Sequence, residues 1–356
     1  LKLINLFFKK PNMKRKSLNV QKIIPNYLND FLIQNSLKHI FNKFEKKLDI
    51  NQSYLVAVSG GSDSLALAFL SKCFEKKYDV RFNYCIVDHK LRPESSKEAK
   101  EVCRILKKIK INCKILKWKG FKPSSNVQAI ARINRYSLLE KECNRTKSQN
   151  ILLGHQRDDV NENFFIRMIR GSGLKGLVSL DENSENNKIN YIRPLLDYNK
   201  NDLEKMTLKV FKIFIKDPSN LDENFKRIRI RKILKVLKNE GLNSNKLMLT
   251  IKNLKDANNA LDYYAKKNIE DNLTFKINKK KATLNKFFFS QPNEVILRSL
   301  NIVIQKIGQK YYPPRGKSTI FLINQLKQSK KFEKRTLGGC LFKKINETII
   351  ISKESG

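Results

Sequence analysis

The sequence predicts an α/β fold: a parallel sheet with helices on both faces, followed by a smaller, mainly helical domain. Three observations predict it. Between about residues 51 and 170, short apolar runs alternate with longer stretches of helical period, a rhythm that calls for parallel strands joined by crossover helices. The first apolar run ends in Ser59-Gly60-Gly61-Ser62-Asp63-Ser64, the kind of strand-to-helix turn that closes on an anion. Past residue 240 the strand signals thin while long helical patterns continue. With 356 residues, about two domains of ~150 residues each are expected. The economical division is a basic tail and leading helix over 1–50, an α/β domain over 51–240, and a mainly helical region with a small terminal hairpin over 241–356.

The elements follow in order. Residues 54–58 read as a short buried strand. Residues 65–76 read as a helix that offers Leu65, Leu67, Ala68, Leu70 and Phe74 for burial. Residues 81–87 are strand-like, 95–110 helical, 112–118 strand-like and 126–143 helical. A short strand at 151–153 precedes a helix over 158–170. Residues 181–190 are polar and read as a loop before an extended stretch at 191–196. Helices are expected near 200–214, over the strongly basic 225–237, over 245–271 and over 294–309. Asp217-Pro218-Ser219-Asn220 reads as a turn, and 341–342 with 348–351 as the hairpin.

Charge narrows the partners. The chain carries 73 Lys and Arg against 33 Asp and Glu, a net charge of +40. An AT-rich coding sequence would itself enrich Lys, Asn, Ile and Phe, yet such a charge binds nucleic acid at low salt whatever its origin. A polyanionic partner is therefore expected. A composition of 40% hydrophobic and 9% aromatic residues excludes wholesale disorder. No stretch reaches the ~18 uninterrupted apolar residues of a membrane span. Cys73, Cys85, Cys103, Cys113, Cys143 and Cys340 form no CxxC pair and no zinc-like spacing, so a reduced cytoplasmic protein is expected. The apolar run at residues 3–8 is too short for a secretory signal.

Two motifs are set aside. Gly316-Lys317-Ser318 lacks the upstream glycine of a Walker loop, Tyr311 standing in its place, and reads as a turn. Gly171-Ser172-Gly173-Leu174-Lys175-Gly176 matches GxGxxG but follows a helix rather than a strand. Residues 59–64 have the right context. Glycines let backbone amides close on phosphate, serines add hydroxyls, and the helix start adds positive potential. The absence of a Walker lysine suits a grip on pyrophosphate. An ordinary helix cap is the plain alternative.

The loop resembles the PP-loop of N-type ATP pyrophosphatases, which cleave ATP to AMP and pyrophosphate. Further along come Asp88-His89-Lys90-Leu91-Arg92, Ala131-Arg132 with Arg135-Tyr136, and Gly154-His155-Gln156-Arg157-Asp158-Asp159 with Glu162. Arg170-Gly171-Ser172-Gly173, Arg193-Pro194-Leu195-Leu196, Asp217–Asn220 and Arg227-Ile228-Arg229-Ile230-Arg231 complete the series. In this order, over about 52–235, the set resembles the tRNA(Ile)-lysidine synthetases. The resemblance implies adenylation of the C2 carbonyl oxygen of the wobble cytidine in a CAU anticodon. Free L-lysine would then displace AMP. It also implies ATP with Mg²⁺, and tRNA(Ile) as partner, with a homodimer left open.

The residues fit that chemistry. His155, Asp159 and Glu162 stand at i, i+4 and i+7, which would place them on one helical face. A salt-bridged surface face, or a cap at Asp158, is the plain alternative. Lysine's amine, with a pKa of ~10.4, is neutral in roughly one molecule per thousand near pH 7.4, so a carboxylate must position it and take its proton. On that logic and on the resemblance, Asp63 and Asp159 are the catalytic candidates, and either is a candidate ligand for the Mg²⁺ that accompanies ATP. Ser59, Gly60, Gly61, Ser62, Asp63 and Ser64 are the ATP-binding candidates. Arg132 and Arg229 match family positions for cations at the α-phosphate. Asp88, His89, His155 and Glu162 are substrate or supporting candidates. No transition-metal site is expected. The alternatives are a pyrimidine-thiolating relative, which would want paired cysteines, and an inactive basic RNA-binding protein.

Overall fold

The computed structural model describes residues 26–34, 37–120, 125–186, 189–215, 225–275, 281–310, 313–328 and 332–354. The expected turn at 217–220, the tail over 1–25, and Tyr311 and Tyr312 lie outside the described residues. The chain forms two compact units. One takes the chain up to Gly171 with Ser179–Gly241, the other Ser172–Val178 with Leu242–Gly356.

In the first unit, α1 (Asn26–Gln34) and α2 (Lys38–Glu45) precede β1 (Tyr54–Val58), α3 (Ser62–Tyr78), β2 (Phe82–Asp88) and α4 (Ser95–Lys107). Next come β3 (Cys113–Lys117), α5 (Val127–Arg145), β4 (Asn150–Leu153) and α6 (Arg157–Ile169). The short α7 (Leu174–Leu177) belongs to the second unit. The first unit resumes with β5 (Asn183–Asn186), β6 (Ile189–Ile192), α8 (Lys200–Phe211) and α9 (Lys226–Asn239).

The sheet runs β3-β2-β1-β4-β6-β5, parallel throughout except for β5. Strand order thus reverses between β1 and β4, the place where open α/β sheets hold their ligands. Both strands are apolar because helices cover both faces of the sheet. The residues expected as a polar loop at 181–190 instead pair as the antiparallel β5–β6 edge. An edge strand needs backbone pairing on one side only, so polar side chains suit it and conceal it in the sequence.

Helix α3 is buried from Ser64 to Phe74 on every side, not along one stripe. The sheet lies against it on one side. Leu203, Met206 and Phe211 of α8, with Phe41 and Phe44 of α2, join the same core. Its start is thereby fixed on all sides.

The second unit adds α10 (Ser244–Asn272), β7 (Leu273–Phe275), β8 (Lys281–Leu284), a 3-10 turn over Lys286–Phe289, α11 (Asn293–Gly308) and α12 (Gly316–Gln328). The strands β9 (Arg335–Leu337), β10 (Cys340–Ile345) and β11 (Thr348–Lys353) follow. The expected hairpin is the core of a five-stranded antiparallel sheet ordered β7-β8-β11-β10-β9. Alternate residues, among them Ala282, Leu284, Phe342, Ile349 and Ile351, turn onto Ile296, Leu300, Val303 and Ile304 of α11. The buried Arg298 ties α11 to α10, 2.8 Å from both Asp262 and the Asn258 side chain. Gly316-Lys317-Ser318, expected as a turn, opens α12. Among the described residues, no helix is long and apolar enough to cross a membrane.

Candidate active site

At the switch point Ala57 stands opposite Leu153, so residues 59–64 and 154–159 leave the sheet side by side. Gly154 permits this approach. A methyl group there would lie 3.1 Å from Ser64 Cα and 3.2 Å from the Asp63 carbonyl oxygen. Ser64 Oγ organises the first loop. It accepts from the amides of Ser59 and Gly60 at 3.1 Å each and donates to the Gly61 carbonyl at 2.9 Å. Gly60 holds φ +88°, and a side chain on it would meet Val102 Cγ2 at 2.5 Å. From outside, Thr207 Oγ1 donates to the Ser62 carbonyl at 2.8 Å, and the Ile215 amide to the Gly60 carbonyl at 2.9 Å. No side chain caps α3 at Gly61, which leaves its first-turn amides for an anion.

Asp63 and Asp159 are brought together. Burial, then the Asp159 charge, pushes the Asp63 carboxyl up to about 6, against the pull of Lys200 and a hydrogen bond from Ser62. Burial also raises Asp159, opposed by the Gln156 amide and by Arg227 and Arg231. Two carboxylates that resist joint ionisation, both with hard oxygen donors, fit a divalent cation accompanying ATP. Among the described residues, no group of three His, Cys, Asp or Glu forms a metal site.

The expected single face of His155, Asp159 and Glu162 is corrected. His155 precedes α6, and Gln156 is the N-cap. The Gln156 side chain accepts from the Asp158 amide at 2.7 Å, while Asp159 accepts from the Gln156 amide at 3.0 Å. The reciprocal cap thus rests on Gln156 and Asp159, not Asp158. It fixes the Asp159 carboxylate at the helix start. Glu162, with its side chain only 3% exposed, pairs with Arg231 at 2.5 Å and lies 4.0 Å from Arg227, joining α6 to α9. Burial raises its carboxyl and the Arg231 hydrogen bond opposes the rise. Glu162→Ala should cost about 2 kcal/mol, the low side for a broken buried pair because Arg231 stays 34% exposed. Urea unfolding of the purified variant measures it, and an unchanged midpoint would show the pair to be idle.

Arg132 lies on α5 with its guanidinium 5.0 Å from the Tyr136 ring. Arg229 is exposed and sits about 200° around α9 from Arg227 and Arg231, whose charges lower Asp159. Arg135 and Arg193, quoted in the motifs but given no role, each keep a buried Nε without a partner. Burial pushes His155 down to about 3, helped by the positive field of Arg193, Arg135, Arg132 and Arg227. Burial, then Arg135, also lowers His89. Both imidazoles are neutral at pH 7, and each has a buried, unpartnered Nδ1. Asp88 serves the scaffold. It accepts from Ser95, Ser96 and the Lys90 amide, and although burial works the other way, these bonds lower its carboxyl.

Asp63 and His155 make opposite contributions to acid stability. Folded Asp63 titrates near 6 and an ordinary aspartate near 3.8, so the native form binds the extra proton between them. That contribution is full below 3.8 and lost as pH rises through 6. His155 does the reverse: its contribution is present above 6.5 and lost as pH falls toward 3. Asp63→Asn is therefore expected to steepen the loss of stability between pH 6 and 4. Urea midpoints of nucleotide-free protein at pH 7, 6, 5 and 4 read this directly, and parallel curves for variant and parent would contradict it.

A phosphate-binding strand-loop-helix without a Walker lysine, set at a switch point beside paired carboxylates, defines a PP-loop nucleotide-binding protein, and residues 30–237 match the PP-loop domain family. The tRNA(Ile)-lysidine synthase of Wolbachia pipientis wMel is 35% identical over 309 residues, 86% of this chain and 71% of that protein. That of Wolbachia sp. subsp. Brugia malayi (strain TRS) is 33% identical over 308 residues, with the same coverage of each. Among solved structures, a U34-tRNA thiolase of Methanococcus maripaludis superposes with a TM-score of 0.52 at 18% identity, over 62% of this chain and 79% of that one, a likeness of fold. The chain belongs to the tRNA(Ile)-lysidine synthase family.

Proposed function

We propose that this protein joins free lysine to C2 of the wobble cytidine of a CAU-anticodon tRNA(Ile), consuming ATP and releasing AMP and pyrophosphate. The observation that carries the reading is the juxtaposition of residues 59–64 with Asp159, a phosphate cradle beside a half-buried acid pair. The first-turn amides of α3 and the hydroxyls of Ser59 and Ser62 hold the β- and γ-phosphates. Arg135, Arg193 and Arg227 supply positive charge where negative charge grows on the α-phosphate as the cytidine oxygen attacks and pyrophosphate leaves. Asp63 and Asp159 would hold Mg²⁺, which when bound neutralises phosphate charge. In the second step the lysine amine attacks C2 and AMP departs. Asp159 orients the ammonium, and a carboxylate of the pair accepts its proton. Neutral His155 can donate or accept a hydrogen bond without adding charge.

The test uses an isoleucine tRNA transcript with a CAU anticodon, Mg-ATP and labelled lysine, with a CAU methionine transcript as control. Label in the isoleucine RNA alone is the expected result. ATP cleaved to AMP without lysine transfer would overturn the substrate assignment. No cleavage by folded protein would favour a basic RNA-binding protein.

The second unit we assign to holding the tRNA body. Residues 242–356 carry 23 Lys and Arg against 8 Asp and Glu. Affinity should fall steeply with salt, each neutralised duplex phosphate adding about −0.9 to the slope of log K against log salt. A flat titration by filter binding would remove this assignment.

A further inference from the structure

The second unit contains a cavity of about 370 Å³ that the chemistry above leaves unused. Lys317, Phe321 and Gln325 of α12 line it, with Arg335 of the edge strand β9, and Leu322 and Leu337 add apolar surface. None of its lining residues is acidic. Phe321 is 58% exposed, which leaves its ring accessible from the hollow. The Arg335 guanidinium lies 5.8 Å from the Phe321 ring centroid. Gln325 Oε1 is shielded from water and has no hydrogen-bond partner. The features of this small hollow that a ligand can reach are therefore a largely exposed aromatic ring with Arg335 over one face, and a second cation, Lys317.

Each feature restricts the ligand. Two cations with no acid call for an anion. An open ring calls for a flat partner, since base–aromatic stacking is indifferent to sequence while aliphatic ligands gain little from it. The volume is at the lower end for ligand sites, about right for a single nucleotide. An acidic peptide would satisfy the cations but not the ring.

We propose that this cavity receives one unpaired nucleotide of an RNA strand. Its base stacks on Phe321, and its phosphate faces Lys317 and Arg335. The proposal deepens the assignment of the second unit to RNA and rests on it. A paired nucleotide has both faces covered by its neighbours, so the site distinguishes unpaired from duplex RNA.

The experiment uses the full chain and two fluorescent probes, a single-stranded 12-mer RNA containing 2-aminopurine and a blunt duplex of the same length. Phe321→Ala should weaken the single strand about 10-fold and leave the duplex within about twofold, with the 2-aminopurine quenching of the parent lost. Phe321→Trp should restore binding and quenching. Arg335→Gln should weaken the single strand and flatten its salt dependence. Equal losses on both probes, or no loss on the single strand, would overturn the pocket. Lysine incorporation by the parent protein is measured in parallel. Incorporation with an indifferent Phe321 refutes the pocket alone. Stacking at Phe321 without incorporation refutes the proposed reaction and keeps the pocket.

Discussion

Replacing Asp63 with asparagine should reduce lysine transfer to the CAU transcript by at least about 100-fold while making the protein more stable at pH 7. The loss follows from removing one of two carboxylates at the phosphate cradle; groups that move protons or anchor charge in a transition state contribute ~10²–10⁴ in rate. The gain follows from the same geometry. Asp63 is held near 6 because burial and Asp159 penalise its ionised form, and the amide carries no such penalty. A shift of this size on a half-buried group, discounted for solvent screening, corresponds to about 1 kcal/mol. Activity lost with stability gained marks a site built for function at the expense of the fold. Turnover assays and urea midpoints on one preparation measure both. Normal turnover would remove Asp63 from the chemistry, and a drop in stability would reassign it to the scaffold.

Gly60→Ala is the second large effect. Its φ of +88° lies where a side chain costs of order 1–3 kcal/mol, and the added methyl would meet Val102 Cγ2 at 2.5 Å. Val102 is fully buried and the Gly60 carbonyl is held by the Ile215 amide, so the loop has nowhere simple to move. ATP turnover should fall about 100-fold with a loss of about 2 kcal/mol in stability. Gly61→Ala is the control. Gly61 has ordinary extended backbone, and a methyl there would meet only Ser59 Oγ, at 3.9 Å. That variant should keep its stability and lose ATP affinity, because the methyl would intrude on the phosphate cradle. If both variants unfold alike, the difference drawn between backbone strain and ligand obstruction is wrong.

Much of the first unit was legible in the sequence because buried parallel strands are short apolar runs with helices between them. Residues 54–58 and 151–153 could hardly be anything else, and the loop at 59–64 announces itself by glycine and serine in that setting. The polar edge β5 was hidden because backbone pairing leaves no mark on side-chain polarity. The second sheet was reduced to its hairpin because β7, β8 and β9 are three or four residues long, below the length at which alternation is visible. Site residues were hardest to read where the answer depends on docking. Which of Arg227, Arg229 and Arg231 faces the acids is set by how α9 rolls on α6. His155 falls off the helix because Gln156 starts it, a side-chain cap outside the common set of Ser, Thr, Asp and Asn.

The reversal of strand order between β1 and β4 also dictates when the site comes into being during synthesis. Asp63 follows the first strand and Asp159 the fourth, and no local contact joins them until β4 has docked along β1. A growing chain that has reached only α5 has its phosphate loop but neither the second carboxylate nor the α9 cations. Closing that long excursion is the slow, entropy-limited part of assembly, and ATP cannot assist it. Nucleotide binding therefore rewards only the nearly finished domain, acting as a late seal rather than an early template. A ribosome-bound chain shorter than the end of α9 should gain no resistance to proteolysis from ATP.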